Sequence, residues 1–143
     1  MASYAFGRTV DLGFDEAVQK ATEALAREGF GVLTEIDVQA TMKAKLGVDR
    51  EPYVILGACS PAHARRALDA EPEIGVLLPC NVVVFTDGGA THVSAVSAER
   101  MLGMVGNPAL EPVAREVGAL LARVLERVGR TPQAAAPPDV SAA

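Results

Sequence analysis

The feature that most constrains this 143-residue chain is the abrupt passage from an unbroken apolar run, Tyr53 to Cys59, into Ser60-Pro61. An apolar run of that length reads as a strand covered on both faces, and we expect it to be the central strand of a sheet. Ser60 as N-cap and Pro61 at the first helical position then open a helix that runs to about Ala70. A strand that ends where a helix begins places its junction at one end of the sheet. Both cysteines, Cys59 and Cys80, and one of the two histidines, His63, lie within the stretch from Pro52 to Asn81 that contains this junction.

The flanking segments supply the rest of the architecture. Tyr4 to Val10 reads as a first strand. Phe14, Val18, Ala21 and Leu25 recur at helical spacing, with Asp15 and Glu16 near the N-terminus of that helix and Gly29 as its stop. Phe30 to Ile36 reads as a strand. Asp37 caps a short helix from Val38 to Leu46, with Met42 and Leu46 one turn apart, Lys43 and Lys45 on its wet side, and Gly47 closing it.

Glu71-Pro72-Glu73 breaks the helix that Ser60 opened, and Pro79 divides the next apolar stretch into a lead-in, a kink and a strand from Asn81 to Phe85. Asp87-Gly88-Gly89 is a hairpin turn into a strand from Thr91 to Val96. Ser97 opens a helical or irregular segment through Val105. Val113, Val117, Leu120, Leu121, Val124 and Val128 then form the stripe of a helix from about Glu111 to Val128, with Pro112 in its first turn and Gly129 at its end. This order implies one compact α+β domain over residues 1–129, a mixed, mostly antiparallel sheet with helices packed on it. The tail, 130–143, has the composition of a disordered end.

Charge excludes several functions. A net charge of −5 without a dense run of lysine or arginine argues against nucleic acid and against anionic lipid, both of which need clustered cations. No secretory leader pattern and no apolar stretch long enough to cross a bilayer are present, so a soluble, cytoplasmic protein is expected, with its cysteines as thiols. Neither a Gly-x-Gly-x-x-Gly turn nor a P-loop occurs.

The candidate chemistry sits at the junction. Beside a helix N-terminus Cys59 is placed to be stabilised as a thiolate, and His63, at the third helical position, can reach back toward the cap and approach Cys59. The same helix end favours a neutral imidazole. With Cys80 nearby, Cys59, His63 and Cys80 would form a soft ligand set for zinc or copper as Cu(I), with His92, Met101 or Met104 as a fourth ligand. Plainer roles compete: Cys59 and Cys80 as small buried hydrophobes, His63 as part of the helix start, His92 at a solvated edge, Met101 and Met104 as packing. Glu35 and Asp37 read as a strand-end charge and a cap. No serine has a recognisable catalytic neighbourhood.

Three functions follow. The leading one is a binding module that holds a soft metal ion or small ligand against Cys59, Ser60, His63, Pro79 and Cys80. A thiol-dependent redox or sulfur-transfer enzyme would use Cys59 as nucleophile and Cys80 to resolve it. A structural dimerisation domain would need no ligand.

The segments Glu28 to Asp37, Pro52 to Gly57, Ala58-Cys59-Ser60-Pro61-Ala62-His63 and Gly75 to Asn81 together resemble the domain of unknown function 302 family. The likeness runs from about Gly13 to Val96, and its paired Cys-x-Pro and Leu-Pro-Cys-Asn motifs make it specific. It implies a compact domain of mixed α and β structure that tends to self-associate, so that a homodimer is among the expected partners, and a shared site centred on Cys59, Pro61, Pro79 and Cys80. The family's activity is unassigned. Ser60 stands where the family pattern commonly has asparagine, and both residue types cap helices.

Overall fold

The structure, a computed structural model, describes residues 3–129; the tail expected to be disordered lies outside the described residues. Strands β1 (Ala5–Val10), β2 (Gly31–Asp37), β3 (Tyr53–Cys59), β4 (Cys80–Asp87) and β5 (Ala90–Val96) form one sheet in the order β1-β5-β4-β3-β2. The helices are α1 (Phe14–Arg27), α2 (Val38–Leu46), α3 (Pro61–Ala70), α4 (Ala98–Gly103) and α5 (Glu111–Gly129). Short 3-10 turns cover Pro72–Leu77 and Pro108–Leu110. The fold is α+β, and every neighbouring pair of strands is antiparallel.

One face of the sheet is the core. Val54, Leu56 and Ala58 on β3, Val82 and Val84 on β4, and Val93 and Ala95 on β5 are all buried there. Cross-strand register aligns them: Leu56 is opposite Val82, and Val84 is opposite Val93. They pack against Ala17, Ala21 and Leu25 of α1 and Val117, Leu121 and Val124 of α5. Burying each valine or leucine among them contributes about 1.5–3 kcal/mol, and each alanine less, so this layer supplies most of the driving force.

The apolar run of β3 therefore misleads in two respects. It is not the middle strand, which is β4, and its two faces differ, since Tyr53 and Ile55 point away from the helices and are only half-buried. The run is continuous because the outer face is also lined. Arg50, Tyr53, Phe85 and His92 make a transverse row there: the guanidinium lies 5.1 Å above the Tyr53 ring, and successive rings are 5.2 and 5.1 Å apart and nearly parallel. His92 is thus not at an edge. It sits on β5 between two strands and shares a 3.1 Å hydrogen bond with Thr9 on β1.

Local signals act as their chemistry requires. Asp37 accepts from the Ala40 N–H at 2.8 Å and so caps α2, which Gly47 closes at φ 66°. Gly88 and Gly89 take φ of 61° and 82°, the pair of positive values that a tight two-residue hairpin needs. α2 nevertheless buries none of its residues, and Met42 and Leu46 are exposed rather than packed.

Between α1 and α5 an ion cluster ties the helical layer. Glu28, at the C-terminal cap of α1, accepts from Arg123 Nε at 3.0 Å and Arg127 Nε at 2.8 Å, and its side chain is only 7% exposed. Arg127 and then Arg123 hold its carboxyl below the ordinary value, against the opposing effect of burial.

Candidate functional site

At the C-terminal end of β3 a cavity of about 320 Å³ opens between the sheet and the helices. The strand delivers Ala58 and Cys59 to its wall, α3 delivers Ser60, His63, Ala64, Ala67 and Leu68, and the start of β4 delivers Pro79 and Cys80. Leu102 and Val113 with Val117 close it from α4 and α5. Carbon dominates this lining, so the cavity favours an apolar occupant. All five residues expected to contact a ligand, Cys59, Ser60, His63, Pro79 and Cys80, line this one cavity.

Two backbone features shape the mouth. β2 bulges between Val32 and Thr34, leaving Leu33 unpaired, and that residue reaches the cavity although it is 67% exposed. At Gly57 the missing side chain matters: a Cβ there would collide with Thr34 Oγ1 and stand 2.8 Å from Pro79 Cγ. Pro79 therefore rests against β3 only because residue 57 is glycine. The Leu78–Pro79 peptide is cis, and the strand after it begins at Cys80 rather than Asn81.

The polar wiring differs from the sequence expectation. Ser60 holds the N-cap position of α3, but its hydroxyl caps no backbone N–H. It lies instead 2.7 Å from His63 Nδ1. His63 does reach back toward the cap, as its position predicts, yet it meets Ser60 and not Cys59. Its other nitrogen, Nε2, is 3.1 Å from Glu116 Oε1 on α5, and Arg66 grips the same carboxylate with Nη1 at 2.7 Å and Nη2 at 3.3 Å. Arg66 holds the Glu116 carboxyl below its ordinary value; desolvation works against this and His63 adds to it.

The expected zinc or copper ligand set of Cys59, His63 and Cys80 is not assembled. No group of three or more His, Cys, Asp or Glu side chains suited to a metal occurs among the described residues, and both ring nitrogens of His63 have other partners. Burial first, and then the neighbouring Cys59, push the Cys80 thiol up to about 11, so it is a neutral thiol at ordinary pH. Cys59 is half-buried, and the two cysteines are not joined in a disulfide. Of the candidate fourth ligands, His92 is bonded to Thr9, Met101 packs against the core and Met104 is 71% exposed.

Glu116 and Arg66 carry no mark of a site in the sequence. Glu116 lies 53 positions from His63, flanked by Val113 and Val117 of the buried stripe, and reads as the wet side of an ordinary helix. Only the docking of α5 against α3 brings it to the histidine.

Comparison with known proteins agrees with the architecture. No curated protein matches the chain. Among solved structures, an uncharacterized conserved DUF302 protein from Bacillus stearothermophilus superposes with a TM-score of 0.83 at 34% identity, covering 89% of this chain and 99% of that one. The family model for the domain of unknown function DUF302 matches residues 6–128. With a matching family model over nearly all of the described residues and a matching solved fold, the chain belongs to the DUF302 family.

Proposed function

We propose that this protein is a binding module whose cavity at the β3–α3 junction holds a small, predominantly apolar molecule. One observation carries the reading: Cys59, Ser60, His63, Pro79 and Cys80 share the wall of a cavity of about 320 Å³ that is otherwise lined by apolar residues. A volume of that order is at the lower end of ligand pockets, which span roughly 300–1,000 Å³. The soft-metal form of the reading has less support, since no group of three or more His, Cys, Asp or Glu side chains suited to a metal occurs among the described residues. A thiol enzyme that needs Cys80 as a ready thiolate has less support too, because that thiol is held neutral.

The test is titration of the isotopically labelled protein with 1-hexanol, followed by amide NMR. Saturable shifts concentrated at residues 58–68 and 75–80 are expected. Shifts scattered over the surface, or none up to the solubility limit, would remove the proposal.

Self-association belongs to the proposal as well. The stripe of α5 is buried in its own molecule, so it is unavailable to a partner. The apolar side chains left outside include Leu33, Ile36, Met42, Leu46 and Val48, all on β2, α2 or the residues just after α2. A nine-residue helix that buries nothing has little reason of its own to form. A second copy covering this region would give it one.

A further inference from the structure

The polar corner of the cavity holds a hydrogen-bonded series, Ser60–His63–Glu116, that ligand binding alone does not use. Glu116 as a carboxylate can only accept, so His63 Nε2–H donates to it across 3.1 Å. In the neutral ring Nδ1 is then an acceptor, and its donor is the Ser60 hydroxyl at 2.7 Å. The result is a serine whose proton points at an imidazole that a carboxylate holds from behind. That is the logic of an acyl-transfer triad, with the roles of the two ring nitrogens exchanged relative to the best-known example.

Three further observations place this series where acyl transfer could occur. Ser60 and His63 both line the cavity, so the hydroxyl borders the space an apolar group would fill. Ser60 immediately precedes α3, whose first turn has no side-chain cap, and Pro61 has no N–H to offer. The Ala62 and His63 N–H groups thus have no side-chain cap at the positive end of the ten-residue helix that Ser60 opens, an end that favours a developing oxyanion. His63 is mostly shielded, with 19% of its side chain exposed, and Arg66 fixes the orientation of Glu116 with two bonds.

We propose that Ser60 is the nucleophile of an esterase activity toward esters with a small apolar acyl group, with His63 as its general base and acid and Glu116 as the positioning residue. The proposal rests on the reading of the cavity as an apolar binding site. In the first half-reaction Ser60 Oγ bonds to the ester carbonyl carbon and its proton passes to His63 Nδ1. The bond from that carbon to the leaving oxygen then breaks, the alcohol takes the proton from Nδ1, and Ser60 is left acylated. In the second half-reaction water adds to the acyl carbon and gives its proton to Nδ1. The bond to Oγ breaks, Ser60 recovers the proton, and the carboxylic acid leaves. Because Glu116 shares its charge with Arg66 and is 49% exposed, it stabilises an imidazolium less than a buried, unshared carboxylate would, and turnover is correspondingly slow.

The test treats the full chain with an alkyl fluorophosphonate, which labels activated serines, and locates the adduct by peptide mass. In parallel, p-nitrophenyl butyrate hydrolysis is measured, with 1-hexanol binding by NMR as a separate readout of the cavity and of folding. A single adduct on Ser60, absent in Ser60→Ala and formed at least about tenfold more slowly in His63→Gln, is expected. Glu116→Gln should lower kcat about tenfold while KM stays within about twofold, a split that a merely structural role would not produce. If 1-hexanol binds but no serine adduct forms, or if Ser60→Ala hydrolyses the ester as fast as the parent, the esterase is overturned and the binding module stands. An adduct confined to Cys59 overturns the assignment of the nucleophile. Loss of both hexanol binding and labelling removes both readings.

Discussion

Replacing Ala64 by leucine tests whether the cavity is open in solution, because the two answers have opposite signs. Ala64 is on the cavity wall and half-buried, so a longer side chain there extends into the free space between α3 and the sheet. Leucine adds three carbons, and at about 0.8 kcal/mol per buried methylene full burial would stabilise by roughly 2.4 kcal/mol. A position that is only half covered should realise about half of this, near 1 kcal/mol, and alanine and leucine differ little in helix propensity. Urea unfolding should therefore show a higher midpoint for Ala64→Leu with an unchanged slope. The same variant should bind 1-hexanol more weakly. If the space were instead collapsed and filled, the added carbons would overpack it and cost about 1–3 kcal/mol. A midpoint that falls by that amount refutes the cavity, and the functional readings built on it fall too.

Two further outcomes follow from other parts of the molecule. The Glu28 carboxyl is held below its ordinary value in the folded state, so the stability it contributes is fully present above the unfolded pKa and is lost as pH falls through the folded one. Glu28→Gln should thus be less stable than the parent at pH 7, with the gap narrowing steadily below about pH 5; a gap independent of pH would show that charge is not what the two arginines recognise. Leu46→Glu places a charge on the exposed apolar region of α2 and should leave a monomer that unfolds at a lower temperature than the parent, which sediments as a dimer, because the association that covers α2 is lost. A monomeric parent would end that part of the proposal.

Much of the framework is legible along the chain because it is decided locally. Asp37 and Gly47 bound α2 through bonds to near neighbours, and Gly88-Gly89 makes its turn by its own backbone freedom. Strand order is different, since it depends on which edge of β3 the hairpin β4–β5 joins, and nothing in Tyr53 to Cys59 records that. The same division runs through the site. The junction that presents Cys59, Ser60 and His63 together is written in Cys-Ser-Pro, and the reach of His63 back to the cap follows from helical spacing. Which atom it meets there is a contest between Cys59 and Ser60 that spacing cannot decide. The carboxylate behind it comes from a helix that the sequence marks only as amphipathic. Ser60 is readable as a cap by residue type, but its hydroxyl caps no backbone N–H and lies instead 2.7 Å from a ring nitrogen of His63.

The bulge in β2 has a consequence for how this cavity can change. Val32 faces Ala58 and Thr34 faces Gly57, so two consecutive residues of β3 are matched while Leu33 between them has no partner. Counted along the ladder, Leu33 is supernumerary: the alternation that sends Thr34 and Ile36 to one face and Glu35 to the other continues in phase whether or not it is there. The one residue that β2 contributes to the cavity mouth is therefore also the one that the sheet does not count. Its size, or even its presence, can vary without rephasing a strand, which separates the evolution of the entrance from that of the frame.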